Sequence, residues 1–441
     1  MQLIKKKSIL REYAEYTMMN VIGMIGLSGY ILADTFFISK GLGTAGLTSL
    51  NLALPVYSFV NGTGLLLGIG GAAKYSISKA QKADKETDQI FTNVIWLMLL
   101  FSAVFVLTGL GGAGHLASWL GADGGVYDMT KVYLSMLLFF SPAFITNQIL
   151  VCFVRNDGNP RLSMLAMLTG SGSNIILDYI FIFPLGLGMF GAVLATGLAP
   201  IISICVLSGH WIRHKNHFHL VKVGLSAKIV KIVMALGVSS LISELASGIV
   251  LIVFNILILK QLGNVGVAAY GVIANLSLVI TAIFTGIAQG MQPLTSRSYG
   301  HMDMKTAGKI LRYAMYTMLV LSIILYGALY LWADPVTAVF NGERDMQMQE
   351  IAVHGMRLYF IAIPWMGFNI LISMYWASIE KAFGAQCISL MRGFFVIIPV
   401  ALVMSACLGM TGIWMAFPVA EIITVMTAGI FAFTAKRRSH T

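Results

Sequence analysis

Long apolar stretches alternate with short polar ones along the whole chain. No Asp, Glu, Lys or Arg occurs in 41–73, 89–122, 132–154, 179–212, 261–296, 313–333, 358–379 or 393–420. A helix needs about 20 predominantly apolar residues to cross a bilayer. Several of these runs reach that length, and some hold most of two helices joined by a turn. The pattern predicts twelve helices, at about 14–39, 45–73, 90–110, 130–153, 162–184, 190–212, 230–259, 266–291, 312–333, 352–378, 386–407 and 411–434.

The two halves of the chain resemble each other. Lys40, Leu42, Gly43 and Gly46 match Lys260, Leu262, Gly263 and Gly266, an offset of 220. Pro142 and Asn147 match Pro364 and Asn369 at 222, and Leu187-Gly188-Met189 matches Leu408-Gly409-Met410 at 221. Each half holds six helices. An even number brings the second half into the bilayer in the same orientation as the first. The expected fold is therefore an all-α integral membrane protein of two six-helix lobes. A pseudo-twofold axis along the membrane normal would relate them, with a binding site between them near the midplane. The expected boundaries are 1–215 for the first lobe, 216–229 for a polar linker and 230–441 for the second lobe.

Charge then fixes the expected orientation. With the N-terminus in the cytoplasm, 24 of the 29 Lys and Arg residues fall on the cytoplasmic side, beginning with Lys5, Lys6, Lys7 and Arg11. The other five are Lys40, Lys131, Lys260, Arg344 and Arg357. This is the asymmetry expected when basic loops stay inside, and it predicts both termini in the cytoplasm of a cell-membrane protein. It also accounts for the net charge of +11 without a nucleic-acid partner. The start of the chain has no small-residue cleavage site, so the first helix is expected to be retained.

Charged residues make up only 11% of the chain. A carboxylate near the bilayer centre costs about 2.5–3.5 kcal/mol on insertion scales. Asp34, Asp178 and Glu244 nevertheless stand inside apolar stretches, which points to a cationic ligand. Asp34 and Asp178 each lie roughly 9 Å from the outer ends of their helices. Asn174 precedes Asp178 by four residues and shares its face, and Thr196 reaches a similar depth on the sixth helix. Two carboxylates, an amide and a hydroxyl in one layer suit a small cation such as Na⁺. Alternatively, the two acids titrate as a coupled pair and carry a proton. Asn147, Gln289 and Asn369 are further polar candidates for lining a substrate cavity, and Glu421 faces either the cavity or a neighbouring helix. Arg392 is expected to snorkel to the headgroups.

Other patterns carry less. Gly41-Leu42-Gly43-Thr44-Ala45-Gly46 spells a dinucleotide fingerprint but follows no strand, so a tight outer turn is expected instead. His210, His214, His217 and His219 lie in a basic stretch without Cys or acidic neighbours and read as solvated. Cys152, Cys205, Cys387 and Cys407 have no metal-ligand spacing. No hydrolase arrangement is visible in the apolar segments, so no enzymatic activity and no cofactor are expected.

With these residues in place, the chain resembles prokaryotic multidrug and toxic compound extrusion (MATE) transporters along nearly its whole length. The family's N-lobe cation site takes an Asp from helix 1, an Asn and an Asp four apart on helix 5, and a Thr from helix 6. Asp34, Asn174, Asp178 and Thr196 match those types and places. Gly158-Asn159-Pro160 and Gln289-Gly290-Met291-Gln292-Pro293-Leu294 also look like family segments. Two departures stand out. Some proton-coupled members carry a Pro in helix 1, where this chain has Gly23, Gly26 and Gly29. Members with a C-lobe site place an acid on helix 10, where this chain has Asn369.

The resemblance implies secondary antiport, driven by H⁺ or Na⁺, of cationic or amphiphilic small molecules. One chain contains both lobes and could work alone in the lipid bilayer. Its substrate contacts would come from Asp34, Asp178, Glu244, Asn147, Asn369 and Gln289. A lipid-linked saccharide flippase of the same superfamily is the alternative. It would need basic residues inside the spans to hold a pyrophosphate.

Overall fold

The computed structural model describes residues 8–341 and 345–438, with side chains as far as Gly429. Lys5, Lys6, Lys7 and Arg344 lie outside the described residues. No strand occurs among those described. That follows from the solvent: hydrocarbon offers no hydrogen bonds, so each span must satisfy its own backbone as a helix.

The helices are α1 (Ile9–Ala80), α2 (Asp84–Trp119), α3 (Gly124–Phe139), α4 (Ser141–Asn156), α5 (Pro160–Ile182), α6 (Gly188–Leu207) and the single turn α7 (Gly209–Ile212). Then come α8 (Ala227–Gly300), α9 (Met304–Leu331), α10 (Ala333–Phe340), α11 (Met346–Tyr359), α12 (Ile363–Ser378), α13 (Ala382–Leu390) and α14 (Ile397–Arg438). A π-helical segment, Met391–Phe395, bridges α13 and α14. The stretch between α7 and α8 is not helical.

Three helices are two spans each, merged across a kink. The kinks are at Gly43 (φ 65°, ψ −156°), Gly263 (φ 63°, ψ −153°) and Gly409 (φ 59°, ψ −137°). These angles fall where only glycine sits without strain. α3 and α4 form one bent span, broken by 48° at Phe140. Counted this way, the described residues make the twelve expected spans. Gly41–Gly46, the dinucleotide-like pattern, is the kink region of α1.

The repeat is written into the backbone. Gly43 and Gly263 have nearly identical angles, as do the turn residues Lys82 (φ 58°) and Met302 (φ 59°), both at an offset of 220. Gly158 and Glu380, and Gly188 and Gly409, repeat positive φ at 222 and 221.

Two buried apolar clusters form the interior. One draws mainly on α1 to α6, the other on α8 to α14. The clusters exchange their first helices at the ends. Tyr13 and Tyr16 of α1 belong to the second cluster, while Ile229 and Val233 of α8 belong to the first. Large apolar side chains such as Leu107, Ile323 and Val403 point outward, where lipid replaces water as the solvent.

With an even number of spans, the described residues begin and end on one face of the bundle, called here the terminal face; the kinks lie at the opposite face. Between mid-depth and the terminal face the halves are in backbone contact. A Cβ on Gly237 would stand 1.9 Å from the Leu66 carbonyl oxygen, and one on Gly290 would stand 2.6 Å from Thr17 Cα. Small residues permit such approaches between membrane helices. The described hydrogen bonds between the halves are Tyr13–Thr317, Asn61–Glu244, Lys74–Glu380, Arg155–Gln289, Asn156–Gln292 and Arg297–Glu12. None of those described joins the halves nearer the kinks.

Candidate functional site

α1, α5 and α6 bring the predicted N-terminal cluster together. Phe37 packs between Tyr179 and Phe183, with ring centroids 6.2 and 6.1 Å away, which sets α1 against the end of α5. Asp34 lies one turn from Phe37, and Asp178 directly precedes Tyr179. The two carboxyl groups lie close enough to interact with each other. Asp178 and Asn174 are fully buried, and Asp34 and Thr196 nearly so.

The polar atoms of this cluster are left largely without protein partners. Asp34 Oδ1, both oxygens of Asp178 and both polar atoms of Asn174 are buried without a hydrogen bond. Thr196 donates to the Ala192 carbonyl at 3.0 Å, which leaves its lone pairs directed elsewhere. Leaving a buried polar group unpaired costs about 1–3 kcal/mol. So many in one place are the expected signature of a site completed by something small. Two buried carboxyl groups in contact share a hydrogen bond only when one of them holds a proton. The same oxygens, with Asn174 Oδ1 and Thr196 Oγ1, are hard donors by type.

Tyr30, Tyr57 and Tyr133 surround the acids. Their hydroxyls were not singled out from the sequence, although all three stand in apolar stretches. Tyr30 and Tyr57 are joined hydroxyl to hydroxyl at 2.7 Å. Tyr133 lies close to Thr196, in the field of Asp34 and Asp178.

The second half has no counterpart. At the offsets set by the repeated turns, Asp34 corresponds to Phe254, Asn174 to Val396, Asp178 to Val400 and Thr196 to Phe417. Phe254 is fully buried among Tyr270 and Tyr359. The polar layer of the first half is thus an aromatic and aliphatic layer in the second.

Glu244 lies at the junction between halves. Asn61 Nδ2 donates to Glu244 Oε1 at 2.9 Å, and Gln148 Nε2 donates to Asn61 Oδ1 at 2.6 Å. Asn147 is half-buried on the neighbouring stretch of α4, its Oδ1 without a partner. Gln289 lies nearer the terminal face, where it accepts from Arg155. Asn369 is fully buried in the second half and donates to Glu421 Oε2 at 2.7 Å.

Two expectations need correction. Arg392 does not reach for headgroups: its Nε donates to Glu421 Oε1 at 2.6 Å. About ten residues into its span from the terminal face, it is too deep to snorkel, and Glu421 offers the nearest counter-charge. The histidines are not all solvated either. His210 is 1% exposed, and its Nε2 bonds Asp157 Oδ2 at 2.8 Å. Asp157 also accepts from Tyr75 at 2.6 Å, from Lys79, and from the His217 backbone at 2.9 Å. Burial alone would raise the Asp157 carboxyl, but the bonds from His210, Lys79 and Tyr75 outweigh it and hold its pKa down at about 2. This hub fastens the interhelical stretch to the first half. It escaped sequence reading because Asp157 is separated from His210 by two helices.

A two-lobed, twelve-span bundle with a buried acidic cluster in one lobe defines a membrane transporter. The MatE family model matches residues 20–180 and 239–403, one match in each half. The chain belongs to the MatE family. It is 25% identical over 437 residues to the multidrug export protein MepA of Staphylococcus saprophyticus, covering 98% of this chain and 96% of that one. To MepA of Staphylococcus aureus strain MRSA252 it is 23% identical over 440 residues, with the same coverage. Among solved structures it is similar to an outward-facing multidrug resistance MATE family transporter of the MOP superfamily (TM-score 0.91, 20% identity, 99% of this chain and 98% of that chain). It is also similar to a MATE crystal structure in complex with MaL6 (TM-score 0.90, 22% identity, 98% of each chain).

Proposed function

We propose that this protein is a cation-coupled antiporter that exports cationic or amphiphilic small molecules, including drugs, across the cell membrane. The observation that carries the reading is the pairing of Asp34 and Asp178, buried beside Asn174 with unpartnered oxygens. The names of the curated relatives support multidrug export.

In this reading the terminal face is cytoplasmic, as the distribution of Lys and Arg supports. The lobes are residues 1–215 and 230–441, and residues 216–229 tie them together. The contacts on the terminal face then close the inner side, and the cation arrives from outside. Taking up H⁺ or Na⁺ at Asp34, Asn174, Asp178 and Thr196 supplies the missing charge or bonds. That changes the packing of α1 on α5 and so the relative stability of the outward- and inward-open states. A ligand moves such an equilibrium only by its differential affinity for the two states. About 2.7 kcal/mol of difference shifts the ratio roughly a hundredfold. Asp34, Asp178 and Glu244 favour positive substrates. Asn147 offers an acceptor at the same junction, and Tyr30 and Tyr57 add aromatic surface. A flippase for lipid pyrophosphates would need accessible basic groups at mid-depth. Here the guanidinium groups of Arg155 and Arg392 are engaged by protein oxygens.

The test is efflux of a fluorescent lipophilic cation from proteoliposomes under separately imposed pH and Na⁺ gradients. Efflux driven by one gradient and abolished in Asp34→Asn supports the reading and names the ion. Efflux that ignores both gradients overturns it.

A further inference from the structure

The contacts that close the terminal face form layers of different charge. At the rim, Arg297 makes a two-pronged pair with Glu12, both bonds 2.8 Å, and Lys74 pairs with Glu380 at 3.1 Å. Both pairs are neutral overall. One layer deeper the balance fails. Arg155, near the end of α4, is fully buried. Its Nη1 donates to Asn20 Oδ1 of α1 at 2.6 Å and to Gln289 Oε1 of α8 at 2.9 Å. Among the described residues its Nη2 reaches only Cys152 Sγ, at 3.5 Å, and its Nε has no partner. No carboxylate is among the described groups bonded to it. Asp157, two residues on, bonds instead to Tyr75, Lys79, His210 and His217.

A buried charge is ordinarily paired with an opposite one, because desolvation is costly and amide dipoles repay only part of it. Glutamate in place of Gln289 would supply that partner with almost no change of shape. The chain instead carries neutral amides on both sides of the guanidinium, so the closed seal is positively charged at its core.

We propose that Arg155 is a selectivity-determining residue: its unneutralised charge makes the closed terminal face repel cations, so that neither H⁺ nor Na⁺ slips through while the substrate path is shut. A fixed arginine excludes protons and cations from pores by the same electrostatics. When the halves separate there, the bond to Gln289 is lost, water reaches the guanidinium and the barrier is screened. The barrier therefore exists only in the closed state. The purpose of the filter rests on the gradient-driven reading above. The leak it prevents is measurable without substrate and for either cation, so the two ideas fail separately.

The experiment is the rate at which an imposed pH or Na⁺ gradient collapses across proteoliposomes without substrate. It compares wild type, Gln289→Glu, Arg155→Gln and Arg155→Lys. Gln289→Glu is the deciding variant, because it strengthens the bond across the seal while cancelling its charge. A charge filter predicts that Gln289→Glu and Arg155→Gln leak cations about tenfold faster. Chloride permeation should not rise, and Arg155→Lys should stay near wild type. A Gln289→Glu seal as tight as wild type, or tighter, would overturn the proposal in favour of a simple latch. So would an Arg155→Lys variant that leaks as fast as Arg155→Gln. Monodisperse elution in detergent qualifies each variant; if Arg155→Gln does not fold, Gln289→Glu decides alone.

Discussion

Asn61 of the first half donates its side-chain amide to Glu244 of the second, 2.9 Å away and near mid-depth. The bond occupies Oε1. Oε2 has no protein donor among the described residues, and Glu244 is half-buried. The carboxylate thus takes part in one of the described bonds between the halves, and none of those described lies nearer the kinks. A positive substrate that reached it from the kink side would meet its free oxygen directly. Glu244→Gln should raise the half-saturating concentration of a monovalent organic cation about tenfold, roughly 1.4 kcal/mol. An uncharged substrate should hardly respond. Equal losses for both would indicate that Glu244 serves only to hold the halves together.

The acids of the first half should behave as a unit. Asp34→Asn and Asp178→Asn should each remove gradient-driven efflux almost completely, and the double variant should be no worse than either single one, since residues that act together are not additive. Initial rates in proteoliposomes check this. Separable, multiplying losses would show that the two carboxyl groups act independently. Phe254→Asp should not create a second site, because Val396, Val400 and Phe417 supply no oxygen ligands.

Arg392, partly buried, pairs with the buried Glu421, and Asn369 lies behind it. Removing one partner leaves an uncompensated charge, so Arg392→Met should destabilise the protein by about 3–5 kcal/mol. Replacing both, as Arg392→Met with Glu421→Leu, should recover most of that. Thermal unfolding midpoints in detergent give the comparison. A double variant that loses the sum of the two single effects would rule out the pair as the source.

The halves touch through bare backbone at Gly237 and Leu66, where a Cβ would stand 1.9 Å from a carbonyl oxygen. Backbone cannot move aside as a flexible side chain can. Gly237→Leu should therefore hold the terminal face open. A cysteine introduced at Asn20 should then react with a membrane-impermeant maleimide about tenfold faster from that face, a population shift of roughly 1.4 kcal/mol. Unchanged labelling would mean that the helices separate by another route.

Asp157 predicts an acid limit for the interhelical stretch. Its carboxyl is held at about 2, below the ordinary 3.8. A depressed carboxyl contributes stability that is fully present above the unfolded value and is lost as pH falls through the folded one. The contribution, about 2 kcal/mol, should fade between pH 4 and 2. Protease cleavage between Arg213 and Ser226 should accelerate across that window, and Asp157→Asn should show fast cleavage already at neutral pH. A pH-independent cleavage rate in the wild type would contradict this.

The amino-acid order alone determined the spans and the repeat. Hydrocarbon imposes one requirement on every crossing segment, so spans can be counted from apolar length, and the kinks at Gly43, Gly263 and Gly409 fall where glycine motifs repeat. Asp34, Asn174, Asp178 and Thr196 could be singled out as candidates because their depth follows from helix rise, and α5 carries two of them one turn apart. Only the tertiary structure decided what the remaining charges do. Arg392 meets Glu421, Asp157 collects Lys79, His210 and His217, and Arg155 bonds Asn20 and Gln289 across separations of up to 135 residues. Depth is a local property that the chain carries in its spacing. Which side chains face one another across helices depends on how those helices rotate and pack, and that is set by contacts summed over the whole bundle.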